Sequence, residues 1–188
     1  MPMIFPLGFI FLLLIWVVVV YNGLVATREM MRESWSDIDT ELKRRYDLIP
    51  NLVEVVKGYA THEKELFKAV TEARNQAVAS IGDTSSQARD ERLLVVNTRK
   101  LLAVAERYPE LKASAHYLDL QAELSNTEDR IQASRRFFNA NVREMNTKVE
   151  SFPSNLIASL FNFDKESFFE VEKAIIRDVV DISFTDPM

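Results

Sequence analysis

The stretch IFPLGFIFLLLIWVVVVY, from Ile4 to Tyr21, decides how the chain begins, because it contains no charged side chain. No charged side chain occurs anywhere in residues 1–27. A helix rising 1.5 Å per residue needs about 20 apolar residues to cross the roughly 30 Å of hydrocarbon in a bilayer. Residues 1–27 are therefore predicted to form a single N-terminal transmembrane anchor. Trp16 and Tyr21 lie toward its C-terminal end, where amphipathic rings favour the membrane interface.

A cleaved signal peptide is the alternative interpretation of this segment. We favour an anchor, because no Lys or Arg precedes the apolar run and Leu24 stands where a small residue is wanted before cleavage near Ala26. Several cations follow the run within about 20 residues, and such cations favour the cytoplasmic side of a membrane. The chain after the anchor is therefore expected to be cytoplasmic. These cations are Arg28, Arg32, Lys43, Arg44 and Arg45.

The composition of the chain is that of an all-α protein. Only 4 glycines and 6 prolines occur in 188 residues, and good helix formers dominate the middle of the chain. The net charge of -5 is not that of a basic nucleic-acid-binding protein, so we expect no nucleic-acid partner. Because the chain has no cysteine, disulfides and thiolate chemistry are excluded.

Apolar residues recur mainly at intervals of three, four and seven through residues 28–153, which is typical of helices that pack side by side. One stripe ends before a predicted turn at Gly82, and the next is closed by Pro109. The longest stripe, from Leu111 to Val149, keeps coiled-coil spacing. The pattern predicts an antiparallel bundle of three to four long helices after the transmembrane helix.

Residues 154–188 are predicted to form a short apolar helix followed by an acidic tail. The helix SNLIASLFNF could dock under the bundle or lie in a membrane interface, and docking is favoured because the segment has no cation. The tail segment VVDISF, residues 179–184, is predicted to be extended. The phenylalanines of the tail indicate that it wraps onto the bundle or onto a neighbouring subunit; they are Phe168, Phe169 and Phe184.

Two prolines are predicted to break helices. Pro50 removes a backbone donor and disfavours helical geometry at Ile49, so the helix from the membrane must kink or end near Leu48. Periodicity leaves open whether the chain bends or reverses there, and this choice decides between three and four core helices. Pro153 is predicted to end the last long helix.

Polar residues interrupt the last apolar stripe. Glu128 and Arg135 lie on the line of the apolar residues, and Asn139 is adjacent. A buried charge requires a partner, and the stretch that follows the anchor supplies candidates. We predict an inter-helix polar layer in which Glu128 and Arg135 are at least partly buried. The alternative is that they form an exposed pair on the helix surface or lie at the solvent-exposed edge of the seam. The candidate partners are Asp39, Arg44, Arg45, Asp47 and Asn51.

The sequence contains no recognisable catalytic, metal or cofactor motif. The THEKEL segment at His62 lacks the second histidine of a metalloprotease, because Leu66 occupies its place. Neither His62 nor His116 has the glutamate three residues earlier that di-iron bundles use. The glycines are too scattered for a phosphate-binding loop. We therefore predict a protein that is not an enzyme and has no cofactor.

Three blocks of the sequence resemble the LemA family of bacterial membrane proteins, and together they cover most of Tyr21 to Phe161. They are YNGLVATRE, SWSDIDTELKRRYDLIPNLVEVVKGYATHE and AELSNTEDRIQASRRFFNANVREMNTKVESFPSNLIASLF. The resemblance implies one N-terminal anchor in the bacterial cytoplasmic (inner) membrane and an antiparallel helical bundle. It brings no established reaction, and relatives are associated with membrane organisation or envelope stress.

The functional expectation is a non-enzymatic scaffold that self-associates as a homo-oligomer. Its partners would be the lipid bilayer and proteins that the sequence does not identify. The alternative is a membrane-tethered sensor or adaptor whose bundle repacks on binding a ligand or partner, with the polar layer as the bistable element.

Overall fold

The computed structural model describes residues 4–80 and 84–170, and every regular element within them is a helix. The prediction of an all-α fold with one long apolar N-terminal helix is confirmed. No strand occurs in the described ranges. The helices are α1 (Ile4–Lys57), α2 (Lys64–Ala79), α3 (Thr84–Ala105), α4 (Pro109–Lys112), α5 (Ala115–Glu150) and α6 (Ser154–Leu160).

Helix α1 joins the apolar stretch and the first amphipathic stripe in one element. Its 54 residues correspond to a length of about 80 Å. Side chains from Phe9 to Ile15 are exposed, whereas buried positions begin at Leu24 and repeat along the rest of the helix. Most described side chains of the apolar stretch are thus exposed, and the amphipathic part buries its stripe. The buried stripe comprises Leu24, Met31, Ile38, Leu42, Tyr46, Ile49, Leu52 and Val56.

Helix α1 contains Pro50 and continues to Lys57, so the alternative in which it ends near Leu48 is wrong. Pro50 is exposed, which leaves its ring outside the packed face. The amide of Asn51 donates to the carbonyl oxygen of Asp47 at 3.5 Å, within the same helix. The described chain does not reverse direction at Pro50, so the choice between a bend and a reversal is decided against a reversal.

The chain divides into two compact units. Within the described residues, the first unit comprises 4–51 and 118–168, and the second comprises 52–80, 84–117 and 169–170. The predicted division into an anchor, a bundle at 28–153 and a C-terminal segment at 154–188 stays a prediction.

In the first unit, α1 and α5 lie antiparallel. The ring centroids of Trp35 and Phe138 are 5.2 Å apart. On one side of this contact Arg45 bonds to Glu128, and on the other Thr27 bonds to Lys148, so positions advance along α1 as they recede along α5. The buried face of α5 continues the predicted seam, so this pair of stripes forms the core of the unit. That face comprises Leu120, Leu124, Ile131, Phe138, Val142 and Met145.

In the second unit, α2 and α3 form an antiparallel hairpin. The Ser80 hydroxyl donates to the Asp90 carboxylate at one end, and Arg107 Nη2 lies 2.6 Å from Glu63 Oε1 at the other. Their buried faces form the core of the hairpin. They comprise Phe67, Val70, Ala73 and Ala77 on α2, and Ala88, Leu94, Leu101, Val104 and Ala105 on α3. The predicted turn at Gly82 lies outside the described residues.

The predicted seam from Leu111 to Val149 is not one helix, because Ala113 and Ser114 separate α4 from α5. Helix α3 ends at Ala105, and Pro109 is the first residue of α4, where its missing N–H costs nothing. At the other end, α5 stops at Glu150 and Pro153 is the N-cap residue of α6. The VVDISF segment and Phe184 lie outside the described residues, whereas Phe169 is buried and Phe168 is exposed.

Candidate functional site

A cluster of polar groups joins α1 to the end of α5 just after the apolar stretch. We call this the basal cluster; it consists of Gly23, Thr27, Glu144 and Lys148. Lys148 Nζ donates to Thr27 Oγ1 at 2.5 Å, to Glu144 Oε1 at 2.7 Å and to the Gly23 carbonyl oxygen at 3.3 Å. An ammonium group has three donors, so the cluster satisfies all of them.

Charge and burial in the basal cluster reinforce this geometry. Thr27 is fully buried, and its hydroxyl also donates to the Gly23 carbonyl at 3.0 Å. The hydrogen bond from Lys148 lowers the pKa of Glu144 below its ordinary value, partly opposed by burial of the carboxylate. Lys148 also lies in the last turn of α5, where a cation interacts favourably with the helix dipole. The cluster therefore fastens α5 to α1 where α1 leaves its apolar stretch.

A second polar contact lies one to two turns further along α1. The Asn141 side-chain amide donates to the Met30 carbonyl oxygen and to Ser34 Oγ, each at 3.2 Å. Ser34 and Asn141 are both buried. Ser34 Oγ in turn donates to the Met30 carbonyl at 2.8 Å, so the hydroxyl and the amide share one backbone acceptor. This network fixes the register of α1 against α5 with uncharged groups.

The predicted polar layer has one ion pair at its centre. Arg45 Nη1 lies 2.8 Å from Glu128 Oε1, and only 3% of the Arg45 side chain is exposed, against 34% for Glu128. Arg44 pairs with Glu123 beside it at exposed positions. The Arg45–Glu128 pair joins the stretch after the apolar segment to the interrupted stripe of α5, the two stretches that the sequence pattern singled out. Its glutamate side chain is only half-buried.

The remaining predicted members of the layer differ in burial. Arg135 and Asn139 are half-buried on α5. Asp39, Asp47 and Asn51 lie at exposed positions of α1. Among the eight residues of the predicted layer, Arg45 is the most buried, and the polar contacts between α1 and α5 are spread along both helices.

Sequence reasoning missed three of the buried polar residues that join the two helices, namely Thr27, Ser34 and Asn141. Spacing could have found Asn141, because it follows Phe138 by three residues and precedes Met145 by four. Thr27 and Ser34 carry no such signal, since small hydroxyl residues are common on both buried and exposed helix faces.

We searched the described residues for potential metal ligands and for grooves. Within residues 4–80 and 84–170, no three His, Cys, Asp or Glu side chains are placed to hold a metal ion. His62 and His116 are exposed.

A shallow groove between α1 and α5 is lined by Asp37, Thr40, Glu41, Arg130, Ala133 and Ser134. Its one pair of opposite charges, Arg130 and Glu41, is 3.6 Å apart.

Comparison with known proteins identifies the chain's relatives. A model of the LemA family matches residues 34–184. The chain belongs to the LemA family. The predicted resemblance is thereby confirmed; the matched residues include the second and third blocks and continue past Phe161 to residue 184.

Curated relatives carry LemA and MamQ names. Protein LemA of Metamycoplasma hominis is 26% identical over 158 residues, which cover 84% of this chain and 72% of that protein. Magnetosome protein MamQ of Magnetospirillum gryphiswaldense is 24% identical over 179 residues, and magnetosome protein MamQ 2 of Paramagnetospirillum magneticum is equally similar. Each of these alignments covers 82% of this chain and 66% of the relative. The chain thus spans slightly less than two thirds of the length of its MamQ relatives.

Proposed function

We propose that this LemA-family chain is a membrane-anchored, non-enzymatic scaffold that self-associates and takes part in membrane organisation or envelope stress. The observation that carries the proposal is the continuity of α1. One helix, Ile4–Lys57, contains both the uncovered apolar stretch and the stripe that packs against α5. It is the one helix of the described chain that is long and apolar enough to cross a membrane.

This continuity has a mechanical consequence. A helix without a flexible linker transmits position and tilt from the bilayer to the packed helices, because bending it sharply requires breaking backbone hydrogen bonds. The basal cluster then ties α5 to α1 within two turns of the apolar stretch. The α1–α5 pair would stand upright on the membrane as a rigid surface for partner proteins or for other copies of the chain.

The proposed location is the bacterial cytoplasmic (inner) membrane, crossed once. The cations after the apolar stretch favour a cytoplasmic bundle, and Arg28 and Arg32 are the first of them. Trp16 and Tyr21 are both half-buried and lie toward the C-terminal end of the apolar stretch. The Tyr21 ring also contacts the rings of Phe161 and Phe163 in the segment after α5.

The alternative function is a membrane-tethered sensor or adaptor. The Arg45–Glu128 pair supports it, because an ion pair with one buried and one half-exposed partner can exchange its protein contact for water or for a charged ligand. Such a switch would give two packings of α1 against α5, and the scaffold would give one.

Mass measurement of the full chain in mild detergent and in lipid nanodiscs separates these functions. A scaffold predicts stable assemblies at multiples of the 21.7 kDa chain mass in both media. A sensor predicts a monomer whose melting temperature shifts when a membrane extract or a charged metabolite is added. A monomer without any such shift would contradict both functions.

A further inference from the structure

The segment that follows α5 and contains α6 leaves several large apolar side chains exposed. We call this the basal apolar face; it consists of Phe152, Leu156, Leu160 and Phe161. Phe152 is 81% exposed and Leu160 is 69% exposed. No charged residue occurs from Ser151 to Phe163. Exposed apolar side chains are ordinary when scattered, but four within ten residues of one short turn require an explanation.

The fold holds this face rigidly. Helix α6 buries Ile157 and Ala158. It ends in a Schellman motif, in which Phe163 N–H donates to the Ala158 carbonyl at 2.9 Å and Asn162 adopts a left-handed conformation with φ of 56°. The Ser154 hydroxyl donates to the carbonyl of Lys148 at 2.7 Å and so ties the start of α6 to the end of α5. The exposed side chains are therefore presented by a well-packed element.

Ring contacts fix the height of this face along α1. The Tyr21 ring lies 4.7 Å from the Phe161 ring and 5.9 Å from the Phe163 ring, measured between centroids. The guanidinium carbon of Arg28 lies 5.0 Å from the centroid of Phe163. Tyr21 closes the uncharged apolar stretch, and Arg28 is the first cation after it. The end of α6 therefore lies beside the part of α1 that passes from apolar to charged.

We infer that the basal apolar face inserts into the bilayer interface, so that α6 is a second membrane contact beside the α1 span. The inference rests on the proposed membrane span and adds a site to it. The occupant is lipid because the face adjoins, through the Tyr21–Phe161 contact, the apolar stretch of α1, whose side chains from Phe9 to Ile15 are exposed. Amphipathic segments at this depth bury their apolar side chains at the boundary between headgroups and acyl chains.

The charge pattern specifies what kind of lipid contact this is. Interfacial helices that depend on anionic lipid have Lys and Arg on their polar face, and α6 has none. The nearby ammonium of Lys148 contacts Glu144, and that of Lys165 lies 2.5 Å from Glu150 Oε1. Contact through apolar burial alone should therefore be as strong on neutral as on anionic membranes.

Site-directed spin labelling of the full chain tests the inference directly, since the natural chain has no cysteine. Single substitutions Leu160→Cys and Leu156→Cys place labels on the basal apolar face. Phe11→Cys places one in the proposed span, and Gln132→Cys places one on an exposed site of α5 far from it. Each labelled chain is reconstituted in phosphatidylcholine vesicles, with and without phosphatidylglycerol, and accessibility to oxygen and to a water-soluble nickel chelate is measured. Circular dichroism checks that each variant is folded.

The expected result is that labels at Leu160 and Leu156 favour oxygen over the chelate several-fold relative to Gln132, equally in both vesicle types. Chelate access at Leu160 and Leu156 equal to that at Gln132, with Phe11 still protected, would overturn the inference and leave the span intact. Protection from both reagents, with spin broadening that disappears on dilution into unlabelled chain, would assign the face to a second copy and also overturn it. Chelate access at Phe11 would overturn the span itself and the inference with it.

Discussion

Arg45 Nη1 lies 2.8 Å from Glu128 Oε1 and joins α1 to α5 more than 20 residues beyond the end of the apolar stretch. The pair is asymmetric, because the guanidinium is buried while a third of the carboxylate side chain is exposed. A contact of this kind adds less stability than its removal costs, since loss of the glutamate leaves a buried cation with one acceptor fewer.

Replacing Glu128 with Ala should lower the free energy of unfolding by about 2 kcal/mol, below the roughly 3 to 5 kcal/mol of a fully buried pair because water screens the exposed side. Chemical denaturation in mild detergent, followed by circular dichroism, gives this value. The matched control is Glu123→Ala, which removes the exposed partner of Arg44 and should cost under about 1 kcal/mol. Equal losses for the two variants would show that the Arg45 pair behaves as a surface contact.

Asn141→Ala should also destabilise the chain. It removes two hydrogen bonds from a buried amide and leaves the Ser34 hydroxyl with one donor fewer, which should cost about 1 to 3 kcal/mol. Asn126→Ala is the control, because Asn126 is exposed on the same helix and its replacement should change stability by less than about 0.5 kcal/mol. A neutral Asn141→Ala would contradict the role of this network in fixing register.

The Lys148–Glu144 ion pair in the basal cluster predicts that the stability of the folded chain depends on pH. The hydrogen bond from Lys148 lowers the pKa of Glu144, so the folded chain keeps this carboxylate charged at a lower pH than the unfolded chain does. The stabilisation is therefore present above the ordinary pKa of 4.5 and is lost as the pH falls through the lowered value. A carboxyl titration by NMR should show the Glu144 pKa below its ordinary value.

Lys148→Met should raise the Glu144 pKa toward that ordinary value, because it removes the cation and its hydrogen bond. Lys43→Met, which removes an exposed cation from α1 well away from the basal cluster, should leave the Glu144 titration unchanged. If both variants shift the titration alike, general charge screening rather than the cluster sets the pKa.

The continuity of α1 through Pro50 predicts that the proline weakens the helix. A proline inside a helix costs about 3 kcal/mol relative to alanine, partly relieved where the helix can bend. Pro50→Ala should therefore raise the free energy of unfolding by about 1 to 3 kcal/mol, measured by the same denaturation experiment. Asn51→Ala, at the next exposed position, should change it by less than about 0.5 kcal/mol. A loss of stability in Pro50→Ala would show that the fold depends on the geometry that proline imposes.

The sequence predicted the elements of this fold better than their ends. Apolar spacing identified the α1 and α5 faces, because a helix that buries a continuous stripe must repeat it every three or four residues. It failed at Ala113 and Ser114, since a two-residue interruption between α4 and α5 leaves the apolar period almost unchanged. It left Pro50 open because only tertiary contacts decide whether a helix tolerates a proline.

The polar contacts were predictable only in part. Glu128 stood out because a charge on an apolar line is conspicuous, and Arg45 was among its candidate partners. Thr27 was not singled out, because its burial depends on the approach of Lys148 from more than 100 residues away. The packing of the end of α6 beside Tyr21 is likewise a tertiary contact, and the spacing of residues within either helix does not predict it.

The central claim is that residues 1–27 stay in the mature chain and hold it in a membrane through α1. The most direct measurement is alkaline carbonate extraction of native membranes, followed by mass spectrometry of the N-terminus of the extracted and retained protein. The account predicts that the chain stays in the membrane pellet with its apolar stretch intact. Recovery of the chain in the soluble fraction, cleaved after Ala26, would contradict it.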